Sequence, residues 1–148
     1  MLEPIENQYD SKAFDMLKNY VKLCKDKGIY VLLDLHQDLF YCNKGIGDGA
    51  PDWATKEYKK KHPLLIWAEG YFYMKDIQRA FNDFWDNKNG MQDKVISLWE
   101  RIALEFSGYD NVIAYDYFNE PLIYGNSNKV FCTLINGACK QGLGFDFN

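Results

Sequence analysis

Hydrophobic and polar positions along the chain follow two rhythms. Phe14, Leu17, Tyr20, Val21 and Cys24 recur at three- and four-residue steps, which predicts a helix from about Ser11 with one buried stripe and a buried thiol at Cys24. Asp10 or Ser11 can cap its start, and Gly28 ends it behind Lys25 and Lys27. The rhythm then changes. Ile29-Tyr30-Val31-Leu32-Leu33-Asp34-Leu35 is a nearly unbroken apolar run of the kind buried on both faces of a parallel sheet, and it closes in His36-Gln37-Asp38. The helical period returns from about Gln92 to Phe106, with Val95, Ile96, Trp99, Ile102, Ala103 and Phe106 inward and Gly108 beyond the end. A second run, Val112 to Phe118, is rich in β-branched and aromatic residues and stops at Asn119-Glu120-Pro121. Helix, glycine, buried strand and polar cluster make the αβ half of a βαβ repeat, so the fold class is α/β with a parallel sheet.

Residues 39 to 90 are too long and too irregular for an ordinary crossover. They open on Gly45-Ile46-Gly47-Asp48-Gly49-Ala50-Pro51, which lacks the Lys-Ser/Thr ending of a phosphate loop. Trp53 follows, then a basic run from Lys56 to Lys61 that reads as a solvated face. Phe81, Phe84 and Trp85 have helical spacing and suit packing, whereas Trp67 falls outside any period and is the aromatic best suited to a cleft. Met1 to Asp10 reads as an extended loop, and after Pro121 the chain again loses its period.

In parallel α/β proteins the carboxyl ends of the strands carry the chemistry. Glu120 is therefore a candidate acid or base, with Pro121 forcing its backbone away from helical angles. The plain alternative is a loop glutamate facing water. Composition narrows the partners. The 148 residues are 47% hydrophobic and 17% aromatic with a net charge of -4, which suits one packed domain and argues against a nucleic-acid partner. Surplus aromatics serve either a packed core or the flat C–H faces of sugars. Cys24, Cys42, Cys132 and Cys139 lack metal-type spacing, and Cys132 and Cys139 could pair across a short loop. No leader-type apolar segment and no transmembrane run is visible in the sequence.

Two motifs in order make a resemblance specific. Val31 to Asp38 followed by Gly47-Asp48-Gly49-Ala50-Pro51-Asp52-Trp53-Ala54 resembles the family-5 glycoside hydrolases and, within them, the endoglycoceramidases. Ala80 to Trp85 and Tyr115 to Pro121 look like further landmarks of that subfamily, and Met1 to Asp10 resembles the loop after the second barrel strand. The likeness covers about residues 1–124, a partial catalytic domain; residues 125–148 form a divergent C-terminal segment. The resemblance implies a partial TIM (β/α)8 barrel, roughly strands three and four (29–35 and 112–118) with their helices and a long insertion.

It also implies roles. Glu120 matches the acid/base that protonates the oxygen leaving as ceramide and then activates water. Asn119 matches the residue that hydrogen-bonds the sugar 2-hydroxyl, His36 and Asp38 would hold sugar hydroxyls, and Trp67 falls at the sugar-stacking tryptophan. The competing readings are a structural histidine at His36 and a loop cap at Asp38; Asp34, inside the strand, suits a structural hydrogen bond. A retaining glycosidase needs a second carboxyl about 5–5.5 Å away, and the resemblance puts that nucleophile on a strand this sequence does not contain. The expectation is therefore a marginal fragment without turnover. The partner implied is a glycolipid or oligosaccharide, with peripheral lipid contact, no cofactor and no metal. By resemblance the compartment is extracellular or an acidic vesicle, although no address is readable. The rival readings are a family-5 β-glucanase or mannanase acting on polysaccharide, a non-catalytic glycan-binding product, and an incomplete gene product without independent function.

Overall fold

The computed structural model describes residues 1–40, 47–55 and 67–122. The basic run Lys56 to Lys61, Cys42, Cys132, Cys139 and the segment 125–148 lie outside the described residues. Helix α1, Ser11–Asp26, starts where the Asp10 carboxylate accepts from the backbone N–H groups of Lys12 and Ala13, at 2.9 and 3.3 Å. It ends at Lys27, and Gly28 turns the chain with a φ of +69° that an L side chain rarely adopts. Phe14 and Val21 are buried and Leu17 packs beside them. Tyr20 departs from the predicted stripe with 59% exposure, and Cys24 is half-buried.

Strand β1, Val31–Asp34, pairs in parallel with β2, Val112–Asp116, through Val31↔Val112, Leu32↔Ala114, Leu33↔Tyr115 and Asp34↔Asp116. The register slips between Val31 and Leu32, which leaves Ile113 without a partner. Helix α5, Met91–Phe106, packs Trp99, Ile102 and Phe106 against Phe14, Val21 and Leu33. Ile96 and Ala103, expected inside, are exposed. Burial on both strand faces is also corrected. Leu32 is 55% and Ile113 64% exposed, because among the described residues helices cover one side of the two-stranded sheet. Buried Asn111 fastens the other end of this layer, donating to the carbonyls of Val21 (3.0 Å) and Ile29 (3.3 Å).

The segment between β1 and α5 builds a second core. It holds α2 (Asp52–Thr55), a 3-10 turn (Trp67–Glu69), α3 (Gly70–Tyr73), α4 (Lys75–Trp85) and a second 3-10 turn (Lys88–Gly90). Ile77, Ala80, Phe81 and Phe84 line the inner face of α4 and pack on Leu39, Phe40, Tyr71 and Met74. Phe81 and Phe84 are thus packing residues, as their spacing predicts. Trp85 sits at the rim and donates its indole N–H to the Leu122 carbonyl at 2.9 Å. Phe118, just past β2, stacks on Phe84 with ring centres 4.8 Å apart and meets Phe40 edge-on at 5.2 Å. Through that ring the insertion grips the carboxyl end of the sheet. Met1 to Asp10 is less extended than expected, since Gln8 turns back to bond the Ile5 carbonyl at 2.9 Å. No helix among the described residues is long and apolar enough to cross a membrane.

Candidate active site

Parallel pairing sends both strands out at the same end, and their hydrogen bonds continue past it. Leu35 N–H donates to the Asp116 carbonyl and Asn119 N–H to the Leu35 carbonyl, each at 3.1 Å. His36, Gln37 and Asp38 therefore stand beside Asn119 and Glu120. At the β1 end, His36 Nδ1 lies 2.9 Å from Asp34 Oδ2 and Nε2 lies 3.4 Å from Asp38 Oδ2. Hydrogen bonding to Asp34 holds the imidazolium above the ordinary histidine range; desolvation opposes this, and the charges of Asp34 and Asp38 add to it. Asp34 is thus a hydrogen-bonding partner, as expected, and its ligand is the imidazole two residues on.

At the β2 end, Asn119 donates its side-chain N–H to the Gln37 carbonyl at 3.1 Å. Glu120 is exposed and has a φ of 41°. The bond to proline favours extended angles at Glu120, and its φ lies in the left-handed region instead. Asp38 and Glu120 share a neighbour, since the charge of each acts on the Tyr71 hydroxyl. Tyr71 is buried, which raises its pKa, and it accepts from Leu39 N–H at 2.9 Å. Beside this end lies a cavity of about 450 Å³ whose lining includes His36, Phe40, Trp53, Lys94, Val95 and Phe118.

The structure thus brings His36, Asp38, Asn119 and Glu120 to one strand end. Trp67 begins its 3-10 turn, and its side chain lies outside the described residues. Sequence reasoning gave no role to Trp53, whose indole N–H bonds the Glu3 carbonyl at 3.0 Å with Lys94 over its ring. It also missed Gln37 and Tyr71. A glutamine between two candidate sugar ligands was the available signal for the first; nothing local signalled the second. Among the described residues no cluster could hold a metal.

This geometry meets an independent comparison. Residues 2–141 match the sequence profile of cellulase, glycosyl hydrolase family 5. The chain belongs to glycosyl hydrolase family 5. It is 30% identical over 141 residues to an endoglycoceramidase of Cyanea nozakii, covering 80% of this chain and 28% of that protein. It superposes with a TM-score of 0.75 and 29% identity on endo-glycoceramidase II from Rhodococcus sp. in complex with a cellobiose-like imidazole, covering 94% of this chain and 34% of that one. A crystal structure of an endogalactoceramidase matches with a TM-score of 0.69 and 27% identity, covering 99% of this chain and 37% of that one. The chain thus spans about a third of the length of these relatives. Family 5 implies a TIM barrel, and the described residues contribute a partial α/β unit with a small parallel sheet.

Proposed function

We propose that this chain carries the acid/base half of a retaining glycosidase that cleaves the bond between oligosaccharide and ceramide in glycosphingolipids. The observation that supports the reading is that Asn119 is hydrogen-bonded to Leu35 and Gln37, so that Asn119-Glu120 and the His36–Asp38 pair lie at the same end of the parallel sheet. In this reading β1 and β2 are the third and fourth barrel strands. Glu120 protonates the departing glycosidic oxygen as a general acid. Once the sugar is held covalently, Glu120 takes a proton from the water that releases it. Asn119 Nδ2 keeps one N–H for Gln37, and among the described residues its second N–H and its Oδ1 remain to meet the sugar 2-hydroxyl. His36 keeps Nδ1 on Asp34, and its Nε2, 3.4 Å from Asp38, turns to a neighbouring sugar hydroxyl when substrate enters, while Asp38 accepts from another. The names of the relatives support the glycosphingolipid substrate.

Retention requires a second carboxyl about 5–5.5 Å from the first, acting as nucleophile. Among the described residues at the strand ends, the Asp38 carboxyl is assigned to sugar binding by this reading. The chain by itself is therefore expected to give no turnover. The test is hydrolysis of a glycosylceramide by the 148-residue chain and by a version extended with the remaining barrel strands of the family. Turnover only by the extended form is the expected result. Release of ceramide by the short chain would overturn the division of the two carboxyls, and an inactive extended form that cleaves carboxymethyl-cellulose instead would overturn the substrate.

A further inference from the structure

Gln37 is fully buried, at 0% exposure, between two residues that face solvent or half face it. A polar side chain in that position must satisfy its own groups from within the protein. Its Nε2 donates to the Asn119 carbonyl at 2.7 Å and reaches the Glu120 carbonyl at 3.3 Å. Its Oε1 accepts from Phe40 N–H at 2.7 Å. One carboxamide thus ties the end of β1 to both peptide groups of the Asn-Glu pair, more than eighty residues away in sequence.

The surroundings make that tie rigid. Leu39 and Phe40 take positive φ values of 66° and 40°, and the Tyr71 hydroxyl holds the Leu39 N–H. Gly49, at a φ of +88°, packs so closely that a Cβ there would collide with the Cα and Cβ of Gln37. A glutamine held this way has little freedom to swing. On the other side, Glu120 keeps a positive φ that a non-glycine residue holds only when its surroundings impose it. Among the described residues, the Gln37 amide is the side chain that bonds the Glu120 carbonyl.

We propose that Gln37 is a positioning residue whose buried carboxamide fixes the Asn119–Glu120 backbone and so sets where the Glu120 carboxyl stands. The inference rests on the acid/base reading only for its functional consequence; the backbone claim stands apart from it. Two substitutions separate the parts. Gln37→Met removes both kinds of hydrogen bond at similar volume. Gln37→Glu keeps the acceptor for Phe40 N–H and removes the Nε2 donor, and at low pH its protonated carboxyl regains an O–H donor.

Both variants are made in the 148-residue chain and read by NMR. The φ-sensitive coupling and amide shift of Glu120 are expected to leave their wild-type values in both. Amide exchange at Phe40 is expected to speed up in Gln37→Met alone. Acidification is expected to return Glu120 toward wild type in Gln37→Glu. Unchanged Glu120 signals in two folded variants would overturn the inference, as would a Gln37→Glu variant whose Glu120 ignores pH. If Gln37→Met does not fold, Gln37→Glu decides.

A second arm links the tie to the site, using a cellobiose-like imidazole as probe. Gln37→Glu at neutral pH and Glu120→Gln are each expected to weaken binding about tenfold, and the double variant no further, because one acts through the other. Additive losses would assign Gln37 a purely structural role and overturn the positioning claim. Failure of Glu120→Gln to change affinity, with the backbone shifts intact, would overturn the acid/base reading and leave the backbone claim standing.

Discussion

The two cores of this chain differ in how completely they close. Around α4, Leu39, Met74, Ile77 and Phe81 have no measurable exposure, and four aromatic rings interlock there. Around the sheet, Leu33 and Trp99 are buried on the helix side, while Leu32 and Ile113 on the other side meet solvent. The outer flank of α1 repeats the pattern, with Met16, Tyr20 and Leu23 exposed one turn apart. In a (β/α)8 barrel such positions would face the neighbouring units and the barrel interior. The irregular insertion is thus the better-packed region, and the regular sheet the less complete one. The difference bears on the site. The strand ends that carry His36 and Glu120 are braced by Phe118, Phe40 and Gln37, all of which reach into or border the closed core.

Breaking the closed core should cost most. Phe81→Ala is expected to lose about 3–5 kcal/mol in chemical denaturation, because a fully buried ring leaves a cavity that nearby rings cannot fill. It should also disturb the amide signals of Gln37 and Glu120, since Phe81 packs on Phe40 and, at 6.5 Å, on Phe118. Leu33→Ala, in the open core, is expected near the lower end of such substitutions, about 2 kcal/mol, because its surroundings can relax. Those same amides should hardly move. Equal costs and equal disturbances would erase the distinction between the two regions.

Leu32→Lys probes the open face directly. With more than half of the Leu32 surface in solvent, it should change stability by less than about 0.5 kcal/mol and lower any self-association seen in sedimentation. A loss of several-fold that size would mean that the face is covered in solution. The smallest effect concerns pH. Because the folded state holds the His36 pKa above its ordinary value, the stabilisation from that group is complete below about pH 6.5 and fades as pH rises through the raised value. Asp34→Asn should bring the His36 ring titration part of the way back toward the ordinary range in NMR and lessen that slope, with Asp38 sustaining the rest. An unchanged titration would leave the Asp34 hydrogen bond without effect.

The elements were legible where one helix or strand decides its own face. Phe14, Val21, Trp99, Ile102 and Phe106 recur at helical steps and are buried, and Asp10 caps the first helix as its chemistry allows. Legibility failed where burial depends on what stands opposite. Tyr20, Ile96 and Leu32 are apolar at inward-reading positions, yet among the described residues a single layer receives them. The site divides the same way. Glu120 and His36 stand at strand ends that the apolar runs mark. Gln37, Tyr71 and the positive φ at Glu120 depend on contacts between segments 32 to 83 residues apart, which no local pattern encodes.

The central claim is that Glu120 delivers a proton to the leaving group. The most direct measurement compares Glu120→Gln with the parent in the barrel-completed protein on two substrates, a glycosylceramide and a dinitrophenyl glycoside of the same sugar. The alcohol of ceramide needs protonation to depart, while dinitrophenolate does not. The account predicts that cleavage of the glycosylceramide falls by about 10²–10⁴ while the burst of dinitrophenolate stays near the parent rate. Equal loss on both substrates, or no loss on either, would contradict it.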